Sequence, residues 1–441
     1  MKKISLKDLE QLASDYQEKP VQKALSRVIV KNELQNLFEK LEAKPAVQFK
    51  FSNEIKTLPA TSQKQSGRCW LFAGLNLLRE IVSKEFGLKD FELSQNYQAF
   101  YDKLEKINYF IEVMDDFLTC DQDDRTFQHI LKTGIQDGGQ WDMFVSLVEK
   151  YGVVPKEAMM ETASSSNTRF MNQIINIKLR QYAANARHLV EDGLANEIPD
   201  LKRQTLDELY TFLVTNFGMP PKSFDLEMMS DDQYKIVKGL TPQSFYKDYM
   251  KDILKDYISI IHAPTKDKPF MNTYRVAYLG NVIDGRDIKY LNLDMDDFKA
   301  LILKQLLSQE LVWFGSDVSR FGDRQTGVWD DQQFDYDEML EMSLYMTKED
   351  ELDYSMSSMN HAMVICAVNL DEGKPNRWKI ENSWGDQVGN KGYYLMSDTW
   401  FERYVYQAVI NKKYLSEDQL KAWKKEPIIL KPWDPMGSLA D

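Results

Sequence analysis

Apolar and polar residues alternate in three textures along this chain. Between residues 6 and 43 the apolar positions recur at helical spacing and break at Lys19-Pro20, predicting two packing helices, with Ser5 and Asp8 spaced as a capping box for the first. A turn-rich stretch, PATSQKQSG, then runs directly into CWLFAGLNLLREIVSKEF. Apolar residues cover most of the circumference of that segment, so it predicts a largely buried helix starting at Cys69. From about 155 to 295 the chain turns polar and amphipathic, and NQIINIKLRQYAANARHLV and QTLDELYTFLVTNF predict helices. Beyond about 310, short β-rich runs (LVWFGSDV, HAMVICAVNL, RWKIENSW, GYYLMS) are separated by Gly, Asp, Asn and Pro, predicting an antiparallel sheet or barrel. The closing EPIILKPWDPMGSLAD carries no helical period and reads as an extended segment.

At 441 residues the chain exceeds the size at which single cores stop growing, so two or three packed units are expected. The charge count, 55 − 68 = −13, opposes nonspecific attraction to phosphate backbones and anionic membranes, and nucleic acid is not an expected partner. No apolar run suits a signal peptide or a membrane span, which points to a cytoplasmic protein. Cys69, Cys120 and Cys366 lie far apart, without CxxC spacing, as in a reducing compartment. His129, His188 and His262 stand singly, without a second ligand at zinc spacing, and read as surface or satisfied core residues. The acidic clusters Asp115-Asp116, Asp121 to Asp124 and Asp294 to Asp297 lack calcium-loop spacing and read as solvated faces. No metal and no cofactor is expected.

A thiol attacks an amide only as thiolate, and a helix N-terminus favours that anion with partial positive charge and free backbone N–H groups. Cys69 has that setting. Taken alone it reads as a buried small hydrophobe, the commoner fate of a lone cysteine. Its company changes the reading: His361 and Asn382 each sit at the edge of an apolar strand, and Gln63 lies six residues upstream with a side-chain amide able to join the Cys69 N–H around an oxyanion.

This order resembles the papain-like cysteine peptidases, marked by Q-x5-CW, a His before an apolar strand, and NSWG, here Asn382 to Gly385. The resemblance implies an α+β, two-lobed fold with a helical lobe and an antiparallel β-barrel lobe. It also assigns Cys69 as nucleophile, His361 as base and acid, Asn382 as the residue that orients the imidazole, Gln63 and Cys69 as the oxyanion hole, and Trp384 as a shield over the His–Asn hydrogen bond. Gly138-Gly139-Gln140-Trp141 resembles the family's substrate-binding wall. The secreted members' CGSCW is SGRCW here, so one disulfide is lost. The separation 361 − 69 = 292 exceeds the roughly 130 to 150 of the papain group by about 150 residues.

That insertion and the closing WDPMGSLAD resemble the aminopeptidase C and bleomycin hydrolase branch. The branch implies a helical insertion that helps build a homohexamer, active sites facing an internal cavity, and a C-terminal arm in the cleft. The arm would restrict cleavage to residues at a peptide's free N-terminus, with a carboxylate at Ala440 or Asp441 against the substrate's amine. The expected segments are 1–58 (N-terminal helical segment packing on the catalytic core), 59–155 (helical lobe with the nucleophile), 156–295 (mainly helical insertion for oligomerisation), 296–415 (β lobe with His361 and Asn382) and 416–441 (helix and extended arm in the cleft). The expected activity is a thiol aminopeptidase of broad specificity, working through an acyl-enzyme and extending to bleomycin-type amides. The alternatives are a papain-like endopeptidase and a non-catalytic, nucleic-acid-binding oligomer of the same fold.

Overall fold

The structure is a computed structural model that describes residues 3–40, 48–230 and 233–440. The capping box forms: the Ser5 hydroxyl accepts from the Asp8 N–H at 3.1 Å and the Asp8 carboxylate accepts from the Ser5 N–H at 2.8 Å, opening the helix Leu6–Gln17. Pro20 has no N–H to donate, so it suits the first turn of the next helix, Pro20–Val28. That helix stops at Val28, short of the expected 43, and a 3-10 turn, Leu34–Leu37, follows. Residues 41–43 of that expectation lie outside the described residues.

The strand His361–Asp371 lies inside the main sheet, antiparallel to Lys374–Glu381 on one side and to Val312–Ser316 on the other. Its first eight residues are all buried. A strand covered on both faces calls for a continuous apolar run, which HAMVICAV supplies. The helices Cys69–Phe86 and Met295–Leu307 both pack on it. Beyond Lys374–Glu381 the sheet continues through Tyr393–Ser397, Val328–Trp329 and Gly322–Asp323. Beyond Val312–Ser316 it continues through Val405–Asn411, Tyr257–Ile261, Tyr290–Asn292, Asn272–Val276 and Ile428–Leu430.

The α+β class holds, with a large helical part and one large sheet, but two expectations change. The sheet is mixed rather than antiparallel: Ile428–Leu430 with Asn272–Val276, Tyr257–Ile261 with Tyr290–Asn292, and Tyr393–Ser397 with Val328–Trp329 run parallel. These strands are joined by long connections, which parallel neighbours need and tight hairpins cannot provide. The stretch 156–295 is also less helical than expected. It holds the helices Arg169–Glu191, Ile198–Phe217 and Pro242–Met250, but also an antiparallel pair, Phe224–Ser230 with Gln233–Leu240, and three strands of the main sheet. Tyr257–Ile261 is buried at every position, and a short buried run carries no period that separates strand from helix. Among the described residues no helix is long and apolar enough to cross a membrane.

Candidate active site

Cys69 is the first residue of the helix Cys69–Phe86 and is fully buried, with Arg68 before it in a non-helical conformation. Its Sγ accepts the Ala362 N–H at 3.4 Å, so the thiol rests against the start of the strand that carries His361. The loop ahead of it is tied down by its own polar groups. Arg68, buried, donates to both oxygens of Glu161 at 3.1 and 2.9 Å and to the Ser66 hydroxyl at 2.8 Å, and Ser66 donates to the Gln63 carbonyl at 2.7 Å.

Strand register brings the other two residues to the same place. Val364 pairs with Glu381 across antiparallel neighbours, so His361 and Asn382 lie at the same end of that pair. Their side chains meet at 2.9 Å, His361 Nε2 to Asn382 Oδ1. The Ser383 N–H also donates to Asn382 Oδ1 at 2.7 Å, which identifies that atom as the carbonyl oxygen and makes His361 Nε2 the donor. Trp384 lies over the pair, its ring 4.8 Å from the imidazole. Burial pushes the His361 imidazole down to about 4, with the Asn382 hydrogen bond opposing and the Arg324 charge adding to the drop. The ring is therefore neutral near pH 7 in this arrangement.

Gln63 also reaches this end of the cleft. Its backbone N–H donates to the Ser383 carbonyl at 2.8 Å and its Oε1 accepts from the Ser383 hydroxyl at 2.6 Å. Its amide nitrogen donates to the Ser66 carbonyl at 2.5 Å, a bond that uses one of two N–H groups. Gly138 and Gly139 form a second edge. Gly139 exchanges backbone hydrogen bonds with Ala440 at 3.2 and 3.3 Å, so the tail lies along this edge as a short antiparallel partner. A Cβ on Gly139 would stand 2.4 Å from the Trp70 ring, and one on Gly138 would stand 2.8 Å from the Ala440 oxygen. Ser438 spans the gap, its carbonyl accepting from Gln140 at 2.5 Å and its hydroxyl donating to the Met359 carbonyl at 2.7 Å. Farther back, Arg125 lies 3.7 Å over the Trp433 ring. Asp441 lies outside the described residues.

Sequence reasoning missed the buried charges around these groups. Asp137 accepts from the Gly67 N–H at 3.0 Å, from Asn172 at 2.8 Å and from Thr168, and pairs with Lys103 at 2.6 Å. Burial raises its carboxyl, but Lys103, Thr168 and Asn172 outweigh burial and hold it well below the usual range. Lys106 donates to the Gly138 carbonyl at 2.7 Å and pairs with Asp102 at 2.7 Å. On the other side, Glu381 accepts from Asn76 at 2.7 Å and Arg79 at 2.8 Å, both on Oε1. Burial pushes Glu381 up to about 7, opposed by Arg79 and helped by Glu80. The available signal was a charge inside an apolar run, as in LNLLREIV and RWKIENSW.

The remaining cysteines and histidines lie apart from this cluster. Cys366 is buried in its strand, and Cys120 sits 3.3 Å from Arg187. His262 shares its Nδ1 with the Leu293 carbonyl at 3.0 Å, and His129 packs against Trp433. Among the described residues no group of three or more His, Cys, Asp or Glu side chains is placed to hold a metal ion.

Comparison with known proteins identifies the family. The family described as Peptidase C1-like matches residues 3–437. Aminopeptidase C of Lactobacillus delbrueckii subsp. lactis is 46% identical over 100% of this chain and 99% of its own length, and that of Listeria innocua is 45% identical over 99% of each. Aminopeptidase G of Lactobacillus delbrueckii subsp. lactis is 36% identical over 98% of this chain and 99% of its own length. The crystal structure of PepW from Lactobacillus rhamnosis superposes with a TM-score of 0.97 at 46% identity, covering 99% of both chains. The chain belongs to the Peptidase C1-like family, as a cysteine-type aminopeptidase.

Proposed function

We propose that Cys69 is the nucleophile and His361 the base in removing N-terminal residues from peptides through an acyl-enzyme. The observation that carries this reading is the His361–Asn382 hydrogen bond under Trp384, at the strand end whose next amide, Ala362, touches the Cys69 sulfur. With Nε2–H held by Asn382, the neutral imidazole accepts the thiol proton at Nδ1. The sulfur attacks the carbonyl carbon, and the negative charge passes to oxygen, where the Cys69 N–H and the second Gln63 N–H stabilise it. The C–N bond then breaks as the leaving amine takes the proton from His361. Water, deprotonated by His361, hydrolyses the thioester and restores the thiol.

The arm supports exopeptidase action. A substrate extending past its N-terminal residue on the Gly138–Gly139 edge would meet the backbone already paired there through Ala440. Gly138 and Gly139 offer backbone rather than side chains along that edge, which fits a broad specificity extending to bleomycin-type amides. The reading also takes a papain-like arrangement in which 59–155 and 296–415 form the two walls of the cleft. Homohexamer assembly in the cytoplasm is part of the same reading. What supports association, though not its number or place, is the helix Leu6–Gln17, which buries nothing of its own while Leu6 (79%), Leu9 (51%) and Leu12 (60%) form one exposed apolar stripe.

One assay series tests the reading, with matched free-amino and acetylated peptides given to wild type, Cys69→Ala and a chain lacking Gly437 to Asp441. Cys69→Ala is expected to lose hydrolysis while keeping its fold, and the truncated chain to begin accepting acetylated peptides. Normal turnover by Cys69→Ala would remove the nucleophile assignment. Continued strict rejection of acetylated peptides by the truncated chain would remove the arm from the explanation.

A further inference from the structure

Trp384 packs against a cation as well as against His361. Arg324 places its guanidinium carbon 4.3 Å from the centre of the ring system, from the exposed turn between the strands Gly322–Asp323 and Val328–Trp329. The charge is near enough to the imidazole to lower its proton affinity. No carboxylate among the described residues forms an ion pair with Arg324, and its neighbour Asp323 is already engaged. That carboxylate accepts from the Gln325 N–H and from the Thr326 hydroxyl, each at 2.8 Å. The turn is also anchored from outside: Tyr394 donates to the Arg324 carbonyl at 2.9 Å, and the Gly389 N–H donates to the Gln325 carbonyl at 3.0 Å. A fixed backbone and a stacking surface hold the cation in place while its N–H edges keep no carboxylate of their own.

The position of this cation defines what it meets. If His361 protonates the leaving amine, as proposed above, the part of the substrate beyond the scissile bond lies on the His361–Trp384 side. The opposite edge, at Gly139, is taken by the chain's own tail through Ala440. Guanidinium groups bind carboxylates through paired N–H donors, and a stacked guanidinium loses less freedom on doing so. We infer that Arg324 binds a carboxylate on the residue just past the scissile bond, the part of the substrate that departs as the amine. In a dipeptide that group is the free α-carboxylate, and in a longer peptide it is an acidic side chain just past the scissile bond. The inference rests on the proposed roles of Cys69 and His361 and adds a charge preference on the leaving-group side.

The test compares kcat/KM for alanyl-alanine with its C-terminal amide, and for alanyl-glutamate amide with alanyl-glutamine amide, in wild type, Arg324→Gln, Arg324→Lys and Arg324→Glu. Wild type is expected to prefer the carboxylate of at least one pair, chiefly through KM. Arg324→Gln should cut that preference about tenfold or more, the size of one charge-assisted contact. Arg324→Lys should retain part of it, and Arg324→Glu should reverse it. The first pair reports an α-carboxylate and the second a side chain. Equal efficiency within both pairs in wild type, or parallel losses on carboxylate and amide in Arg324→Gln, would overturn the inference while leaving the peptidase reading intact. A wild-type enzyme that hydrolyses none of the four would instead remove the reading on which it rests.

Discussion

Two buried carboxylates flank the helix Cys69–Phe86, and the same burial leaves them in opposite states. Asp137 has four donors around two oxygens, including an ammonium and the backbone N–H of Gly67, and stays ionised. Glu381 receives Asn76 and Arg79 on a single oxygen, has Glu80 nearby, and is pushed up to about 7. Burial alone therefore does not decide whether a carboxyl keeps its proton; the number and charge of its donors do. Each state suits its place. Asp137 is next to Gly138 and grips the loop one residue from Arg68, where a permanent charge holds a cleft edge rigid. Glu381 is next to Asn382, and its charge varies near neutral pH.

The largest expected effect comes from breaking the fully satisfied member. Asp137→Ala leaves Lys103 buried without its counter-charge and strips acceptors from Gly67, Thr168 and Asn172. Removing one partner of a buried ion pair costs about 3–5 kcal/mol. Urea unfolding of Asp137→Ala should show a loss of that order, and peptidase activity should fall with it because Gly67 anchors the approach to Cys69. A loss below about 1 kcal/mol would mean that Lys103 relaxes to solvent and the network does not hold this edge.

Much of the contrast was hidden from the sequence, while the candidate site residues nearby were visible in it. His361 and Asn382 stand out as polar residues at the edges of apolar strands, Cys69 as the first residue of an apolar helix and Gln63 by its place in the loop before it, and the structure brings the four side chains to one end of the strand His361–Asp371. Asp137 carries no such mark. It sits in the polar stretch GIQDGGQ, and its partners Lys103, Thr168 and Asn172 come from two other helical regions, so only tertiary packing makes it a buried ion. The strand Tyr257–Ile261 escaped for a related reason, since five consecutive buried residues have no period to read. The Gly138–Gly139 edge was legible only through the resemblance to a substrate-binding wall, and so was the chain's own tail in the cleft.

An intermediate effect should follow from Glu381→Gln, which removes the titration but keeps the shape. A folded-state value near 7, above the ordinary carboxylate value, means that the fold favours the protonated form. The stability this group contributes is therefore present below about pH 4.5 and is lost as pH rises through about 7. Wild type should lose on the order of 1–3 kcal/mol between pH 5 and pH 8 relative to Glu381→Gln, read from urea midpoints at both values. Matching pH dependence in the two proteins would show that Arg79 keeps Glu381 ionised throughout, and the contrast with Asp137 would disappear.

The smallest effect sharpens the donor argument itself. Asn172 supplies one of the four donors to Asp137, through Nδ2 at 2.8 Å to Oδ1, the same oxygen that Lys103 approaches at 2.6 Å. Asn172→Ala removes that hydrogen bond and leaves the ammonium, the Gly67 N–H and the Thr168 hydroxyl in place. Because the carboxylate stays paired, the loss should be that of one hydrogen bond to a charged group, about 1–2 kcal/mol, well under the cost of Asp137→Ala. In the double variant the two losses should fall short of their sum, since Asn172 has nothing to bind once Asp137 is gone. Additive losses would show that Asn172 stabilises its helix independently of the carboxylate. An Asn172→Ala loss as large as that of Asp137→Ala would mean that the ion pair with Lys103 cannot hold the charge without its neutral donors.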